Sequence, residues 1–420
     1  MQLKTSIRIS TIMDLFVVLV ILSYAGPFAS YSGITLLIAI TGGIFLLYSL
    51  TLRENRKKNL NAWIVCIGYL MLNSLLNLPY SLKYMLILVV GYLMIRRNIK
   101  AENCKNVYRI IEIASTIEAV SIIIQRHIPD VFYPIAKTWF FYSDQFDFVS
   151  HAGQYSKQFS GLCYEVSFAA IVCSLGIIIR FVSMLFDNGK SRKIIDVLLI
   201  AMSFYSIILT GKRSIMIDIP ITMAVIYLLF SKKNLTAKRI AIIGISLVTI
   251  LILLPNIYTL VETILSRGRG SGIEWTNRTK FWALAFDMFK DNPLIGKGLN
   301  SFDIWFNRSG IRSIYYDFAG AHNSYFQLLG ETGIIGICLY LWALFSSIRK
   351  GIIYNGLDEQ NNKYILISVG ILITLLIYAF SGNTLHQPQQ LFCVLWCVAV
   401  LENLSIVRDE EFNNAQGKLR

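Results

Sequence analysis

Hydrophobic residues in this chain form long uninterrupted runs, separated for the most part by short polar segments. A helix that crosses a bilayer needs roughly 17–25 predominantly apolar residues. Runs of about that length predict an all-α integral membrane protein with about twelve transmembrane helices. The predicted spans are 12–29, 32–50, 61–78, 80–95, 107–127, 162–186, 194–211, 214–230, 240–258, 323–346, 364–381 and 390–405.

Four regions follow from this pattern. Residues 1–258 predict a transmembrane bundle of about nine helices, and residues 259–322 predict a long extracytoplasmic loop. Residues 323–405 predict three C-terminal transmembrane helices, and residues 406–420 predict a cytoplasmic tail. Within the long loop, apolar residues recur at helical spacing from 278 to 290, which predicts an interfacial amphipathic helix. Its expected apolar face consists of Phe281, Trp282, Ala285, Phe286 and Phe289.

Composition agrees with a membrane protein. Charged residues make up 15% of the chain, against about 25% in soluble domains. The net charge of +14 is explained by topology and does not require nucleic acid as a partner, because 25 of the 39 Lys and Arg residues fall on the predicted inner side. This distribution predicts that both termini are cytoplasmic and that the long loop faces outward.

Arginines on the outer side are candidate anion ligands. Arg213 and Lys212 lie in a very short outer hairpin, where positive charge runs against the usual topology rule. Arg278 lies in the first turn of the amphipathic helix, and a helix N-terminus with an added arginine binds anions well. The alternative is that both are ordinary interfacial arginines.

His322 is the candidate base, because it precedes an apolar helix whose positive end favours a neutral imidazole. Asn323 or Ser324 is expected to cap that helix. The alternative is a structural histidine bonded to a loop carbonyl. No second His, Cys or acidic cluster accompanies His322 as a metal site requires, so neither a metal nor a cofactor is predicted.

Two carboxylates, Glu112 and Glu118, fall within the predicted fifth helix. Carboxylates at that depth indicate a partner or a pathway. One interpretation pairs them with an outer arginine such as Arg213, and the other makes them a proton relay. The sequence leaves both open.

Several motifs resemble one family. His322-Asn323 is followed by nine residues, then Gly333, two residues and Gly336. Upstream lie an Arg-x-x-Phe-Trp motif beginning at Arg278 and an Asn-Pro-Leu-Ile-Gly-Lys-Gly segment at 292–298. In these features the chain resembles the O-antigen ligase and polymerase family, which includes Wzy-type polysaccharide polymerases with an O-antigen ligase-like C-terminal domain. The segment around Glu165 is similar to one in capsule and O-antigen polymerases, departing from it at Cys163 and Val166.

The resemblance implies a metal-independent, inverting glycosyltransferase in the bacterial cytoplasmic (inner) membrane, with its active site on the extracytoplasmic side. Its substrate would be an oligosaccharide linked to undecaprenyl diphosphate, held by Arg213 and Arg278, and His322 would be catalytic. Further candidate substrate-binding residues are Lys212, Glu165, Asn323 and Tyr325. The implied partners are the lipid-linked oligosaccharide, the lipid bilayer, a chain-length regulator and a flippase.

Among family members the Glu165 segment favours a polymerase of O-antigen or capsule. The alternative is a ligase that transfers glycan to lipid A-core or another cell-envelope acceptor. A lipid-linked glycan transporter is favoured least, because it predicts internal repeats and the chain has none. A metal-dependent lipid-sugar glycosyltransferase is set aside, because the first outer loop holds no carboxylate.

Overall fold

The computed structural model is helical throughout the regular structure it describes. The described residues are 2–23, 31–51, 62–78, 80–97, 99–140, 143–187, 189–230, 273–310, 320–353, 359–385 and 387–417. In chain order the α-helices are α1 Gln2–Ile21, α2 Tyr31–Thr51, α3 Ala62–Ser74, α4 Leu82–Arg96, α5 Ala101–His127, α6 Pro129–Trp139, α7 Ser143–Gln154, α8 Val166–Phe186, α9 Lys190–Thr210, α10 Arg213–Phe230, α11 Ile273–Asp291, α12 Phe302–Arg308, α13 Ser324–Ile353, α14 Glu359–Tyr378 and α15 Pro388–Gly417.

Helices occupy every predicted span that the structure describes, and the span 240–258 lies outside the described residues. Five helices, α8, α9, α10, α13 and α14, are long and apolar enough to cross a membrane. The all-helical class is therefore confirmed and agrees with an integral membrane protein, while the number of twelve spans stays a prediction.

Helix α8 lies at the centre of the bundle. It packs against α5, α9, α10 and α14, and most of its side chains are buried. Helix α15 packs against α1, α4, α13 and α14. Buried polar pairs connect helices on the predicted inner side. The guanidinium of Arg97 donates to Asp14 at 2.9 Å, and Lys350 donates to Glu402 at 2.6 Å.

Three segments differ from the sequence-based expectation. The aromatic outer segment expected as a loop at 128–161 folds largely into α6 and α7, because Phe132, Ala136, Phe140 and Val149 bury one another in a small separate core. Helix α15 continues to Gly417, into the predicted tail. Besides the predicted amphipathic helix, here α11, the predicted long loop contains a second short helix, α12.

Helix α13 is interrupted near its middle. Gly333 has φ 66° and ψ −171°, so the helical hydrogen-bonding pattern stops there and resumes after it. The sequence predicted one uninterrupted span over 323–346. The break instead divides the helix into a short half toward the predicted outer side, which begins just after His322, and a longer half toward the predicted inner side.

Candidate functional site

The amphipathic helix α11 packs against the outer half of α13. Its buried face consists of Phe281, Leu284, Ala285 and Met288. The apolar face expected toward lipid or the bundle is thus only partly buried within the protein, since Phe281 and Ala285 are buried and Phe286 is 45% exposed. The reason lies in α13, where a Cβ added to Gly330 would come within 2.6 Å of the Ala285 carbonyl oxygen. Only a small residue on each helix allows so close an approach, and this contact selects the buried face.

The turn after α11, residues 292–298, forms backbone hydrogen bonds with α13 on both sides of its break. The amides of Lys297 and Gly298 donate to the carbonyls of Gly330 and Glu331 at 3.1 and 2.8 Å. In the other direction, the amides of residues 334 and 335 donate to the carbonyls of residues 293 and 294, at 2.9 and 3.2 Å. Gly296 and Gly298 have positive φ, as the predicted tight turn requires. The backbone carbonyls and amides on either side of the break are therefore hydrogen-bonded to this turn.

Glu331 connects the turn to the residue before His322. Its side chain is fully buried, and it accepts the backbone amides of Asn300 at 2.9 Å and Phe302 at 3.2 Å. Gln327 donates its amide to the same carboxyl group at 3.0 Å, and its carbonyl oxygen accepts the Ala321 amide at 3.1 Å. One buried carboxyl group thus holds the segment 300–302 directly and, through Gln327, the residue before His322.

His322 lies where three elements meet. Its backbone has φ 52°, a conformation uncommon for residues other than glycine. Its amide donates to the side-chain oxygen of Asn383 at 2.8 Å, and its ring centroid lies 6.0 Å from that of Phe281 on α11. Ser324 fixes the next turn by bonding to the Gly382 carbonyl at 2.9 Å. The histidine is half-buried, so a rigidly held backbone presents a partly accessible ring.

The residues after His322 have structural contacts. The side chain of Asn323 accepts the amides of Tyr325 and Phe326 at 3.0 and 3.1 Å, which confirms the expected helix cap. The Tyr325 hydroxyl donates to the Leu376 carbonyl at 2.8 Å, and its ring packs against Phe380. These contacts support the fold, and substrate binding by Asn323 and Tyr325 stays a prediction.

Lys212 and Arg213 lie at the turn between α9 and α10. Gly211 ends α9 with φ 72°, and a Cβ there would come within 3.3 Å of Gln158. The Phe159 amide donates to the Leu209 carbonyl at 3.2 Å, so the turn lies beside the segment that leads to Glu165. Arg213 is half-buried and forms no ion pair with any residue that the structure describes.

Glu165 lies against the connection between α14 and α15. Its carboxyl oxygen accepts the Gln387 side-chain amide at 3.4 Å. The Gln387 backbone amide in turn donates to the Asn383 carbonyl at 3.0 Å, which forms one helical turn. Since Asn383 also binds the His322 amide, Glu165 and His322 flank the same short segment.

Arg213 lies at the same end of the bundle as this segment. Thr222 on α10 and Thr374 on α14 are hydrogen-bonded at 3.1 Å. Thr222 is about 13 Å along its helix from Arg213, and Thr374 is about 6 Å along its helix from Tyr378, at 1.5 Å per residue. The start of α10 is therefore near the level of residues 379–387.

Arg278 lies one helical turn before Phe281 on α11, and because α11 begins at Ile273 it lies in the second turn of that helix and not in the expected first turn. The side chain of Arg278 lies outside the described part of the structure. Arg213, Arg278 and His322 lie on three different elements, the start of α10, helix α11 and the segment before α13. They are related through the elements that carry them, and their functional roles stay predictions.

Glu112 and Glu118 have separate partners, and neither pairs with Arg213. Glu112 lies 3.5 Å from the Arg180 guanidinium, which also donates to the Glu112 carbonyl at 2.9 Å. Glu118 accepts the Leu162 amide at 3.2 Å, so it holds the segment that leads to Glu165. Within the described ranges no group of three or more His, Cys, Asp or Glu is arranged to hold a metal ion.

The sequence did not identify Glu331, Gln327, Asn383 or Gln387. A glutamate inside an otherwise apolar helix was the available signal for Glu331, because a buried carboxylate needs partners. The polar run that contains Asn383 and Gln387, between two apolar helices, was the signal for those residues.

We expect Glu331→Gln to destabilise the protein by about 1–3 kcal/mol, since an amide leaves at least one buried donor facing another donor. Gln327 bonds both Glu331 and Ala321, so the substitution should also displace Ala321 and the adjacent His322 and thereby lower the turnover rate. The measurement is thermal unfolding in detergent together with an activity assay. Glu359→Gln, at an exposed position that begins α14, is the matched control and should change stability by less than about 0.5 kcal/mol. Equal effects of the two substitutions would contradict the assignment.

Residues 198–341 match the family model described as O-Antigen ligase. The match contains the turn at Arg213, helix α11 and the His322 motif, and it confirms the resemblance to the O-antigen ligase and polymerase family over this segment. No curated protein matches the chain.

Proposed function

We propose that the protein is a polymerase of bacterial surface polysaccharide, either O-antigen or capsule. It transfers a glycan from undecaprenyl diphosphate to a sugar hydroxyl of the next lipid-linked repeat unit. The family match supports the general class of polysaccharide ligase or polymerase. The choice of polymerase rests on the segment around Glu165. The protein acts in the inner membrane with both termini cytoplasmic and the site extracytoplasmic, which the charge distribution supports.

The observation that carries the proposal is the position of His322 and the contacts that hold it. Its backbone is held by Asn383, its ring lies beside Phe281 of the helix that carries Arg278, and the residue is half-buried. Such fixed placement beside the helix that carries Arg278 suits a base that must approach both an acceptor hydroxyl and a diphosphate.

The reaction is a single displacement. The acceptor oxygen forms a bond to the anomeric carbon of the donor and loses its proton to the imidazole of His322. The bond from that carbon to the phosphate oxygen breaks, and undecaprenyl diphosphate leaves with the electron pair. Arg213 and Arg278 stabilise the charge that develops on the leaving group. One displacement without an enzyme nucleophile inverts the anomeric centre.

Purified protein supplied with lipid-linked repeat units tests the proposal. A polymerase gives a ladder of chain lengths on undecaprenyl diphosphate. A ligase supplied with lipid A-core gives one transfer to that acceptor and no ladder. The ligase is the second candidate, because the matching family model carries that description. Transport without any new glycosidic bond would refute both.

We expect Arg278→Lys to raise the KM for the lipid-linked donor about tenfold or more. A lysine carries the charge but does not reproduce bidentate binding of a diphosphate. The measurement is the initial rate of extension against donor concentration. Arg308→Lys, at an exposed position at the end of α12, is the control and should leave KM unchanged. An unchanged KM for Arg278→Lys would remove that residue from the diphosphate site.

A further inference from the structure

The connection between α14 and α15 is polar along most of its length. Residues 383–390 read Asn-Thr-Leu-His-Gln-Pro-Gln-Gln, and this run lies between two apolar helices. Gln387 stands at its centre, donating to Glu165 at 3.4 Å and accepting a hydrogen bond from Gln390. Residues 383–385 contact the start of α13, through the bond from His322 to Asn383 and the bond from the Leu385 amide to Ser324 at 3.2 Å.

Several polar groups in this run are buried without a partner among the described residues. Thr384 and Gln389 are 0% exposed, and Gln390 is 2% exposed. The Thr384 hydroxyl, both polar atoms of the Gln389 amide and the Gln390 carbonyl oxygen make no hydrogen bond to the described part of the chain. Buried polar groups are normally paired, so four unpaired atoms within seven residues are an unusual concentration, which a bound ligand would satisfy.

The chemistry of the run fits a sugar. Amides and hydroxyls both donate and accept, as sugar hydroxyls do, and Glu165 adds a carboxylate acceptor. Residues 379–390 contain no Lys or Arg, so this run holds no permanent cation to pair with an acidic sugar. The run therefore favours a sugar without a carboxylate.

The position of the run favours the acceptor and not the donor phosphate. Asn383 binds the His322 backbone, and Gln387, one turn later and about 6 Å along the chain, binds Glu165. Asn383, Gln387 and Glu165 are half-buried, so a ligand can reach them from solvent. Thr384 and Gln389, which are close to them in the sequence, are buried. The Gln389 amide makes no hydrogen bond to the described residues, so a hydrogen bond to a ligand would not replace one within the fold.

We propose that Glu165, Thr384, Gln387, Gln389 and Gln390 form a subsite for an uncharged sugar of the acceptor repeat unit, next to His322. This inference rests on the proposed function, because it assigns the acceptor half of that reaction. It adds a binding determinant in a part of the chain that lies beyond the family match at 198–341.

The test replaces unpaired polar groups with apolar groups of similar size. We expect Gln389→Met and Thr384→Val each to raise the acceptor KM about tenfold, which is the effect of losing one hydrogen bond to a ligand. The unfolding temperature in detergent should stay unchanged or rise, because removing a buried unpaired group relieves its desolvation cost. Ser203→Ala is the control, since Ser203 on α9 is also fully buried with an unpaired hydroxyl in the described structure. It should leave KM unchanged.

Two results would overturn the subsite. One is an unchanged acceptor KM in both variants. The other is a marked fall in unfolding temperature, which would mean that the groups are bonded within the fold. A second measurement separates the subsite from the reaction. Oligosaccharide released from the lipid-linked repeat unit is titrated into wild-type protein and into Gln389→Met. Binding that the variant weakens, in a protein that does not polymerise, would refute the proposed function and keep the subsite. Polymerisation with unchanged acceptor KM would refute the subsite alone.

Discussion

Replacement of His322 by asparagine is expected to lower the rate of chain extension by about 10²- to 10⁴-fold, which is the usual contribution of a general base. Asparagine is the informative choice, because it tolerates the positive φ of 52° at this position and has no basic nitrogen. The backbone bond to Asn383 does not involve the side chain, so it should persist. The measurement is the rate of extension of lipid-linked repeat units at saturating substrate.

Two further variants complete this experiment. His322→Ala should be equally inactive and also less stable by about 1–2 kcal/mol, because alanine is strained at positive φ. His151→Ala removes an exposed histidine that stacks on Tyr155, and it should keep wild-type activity. Substantial extension by stable His322→Asn protein would refute the assignment of the base.

Gly333→Ala should be the most destabilising of the glycine substitutions near the site. A Cβ at this position would lie 2.3 Å from the Leu294 carbonyl oxygen and 2.6 Å from the Ile295 nitrogen. Those atoms are backbone, so the turn at 292–298 must move away. Strain at positive φ adds about 1–2 kcal/mol and overpacking about 1–3 kcal/mol, which together give about 3 kcal/mol. Thermal unfolding in detergent measures the change, and activity should fall with it.

Gly68→Ala provides the matched control. Gly68 lies in α3, and a Cβ there meets nothing within 4 Å. Alanine in a helix interior is expected to stabilise by about 0.5–1 kcal/mol relative to glycine. If the Gly333→Ala protein were as stable as the Gly68→Ala protein, the close contact between Gly333 and the turn at 292–298 would be refuted.

Local signals in the sequence predicted the parts of the site that depend on neighbouring residues. The cap by Asn323, the turn at Gly296 and the helix that carries Arg278 are all determined within a few positions. The sequence did not specify which residues of α11 are buried, because that depends on the close approach at Gly330, which belongs to another helix.

Sequence patterns did not predict the contacts between segments that are distant along the chain. Asn383 follows His322 by 61 positions, and Gln387 follows Glu165 by 222. Neither glycine spacing nor hydrophobic period specifies such a pair of residues. The two pairs depend on how α8, α13 and α15 are arranged. The break at Gly333 was missed for a similar reason, since the turn that fills it is 35 or more positions earlier.

The four backbone hydrogen bonds between the turn and the break have an evolutionary consequence. They join main-chain atoms, so they tolerate substitution of many of the side chains along the two segments. They do not tolerate insertion, because one added residue would offset every donor from its acceptor. Homologues should therefore vary in residue type at several of these positions while keeping the number of residues from 292 to 298 and from 330 to 335 constant.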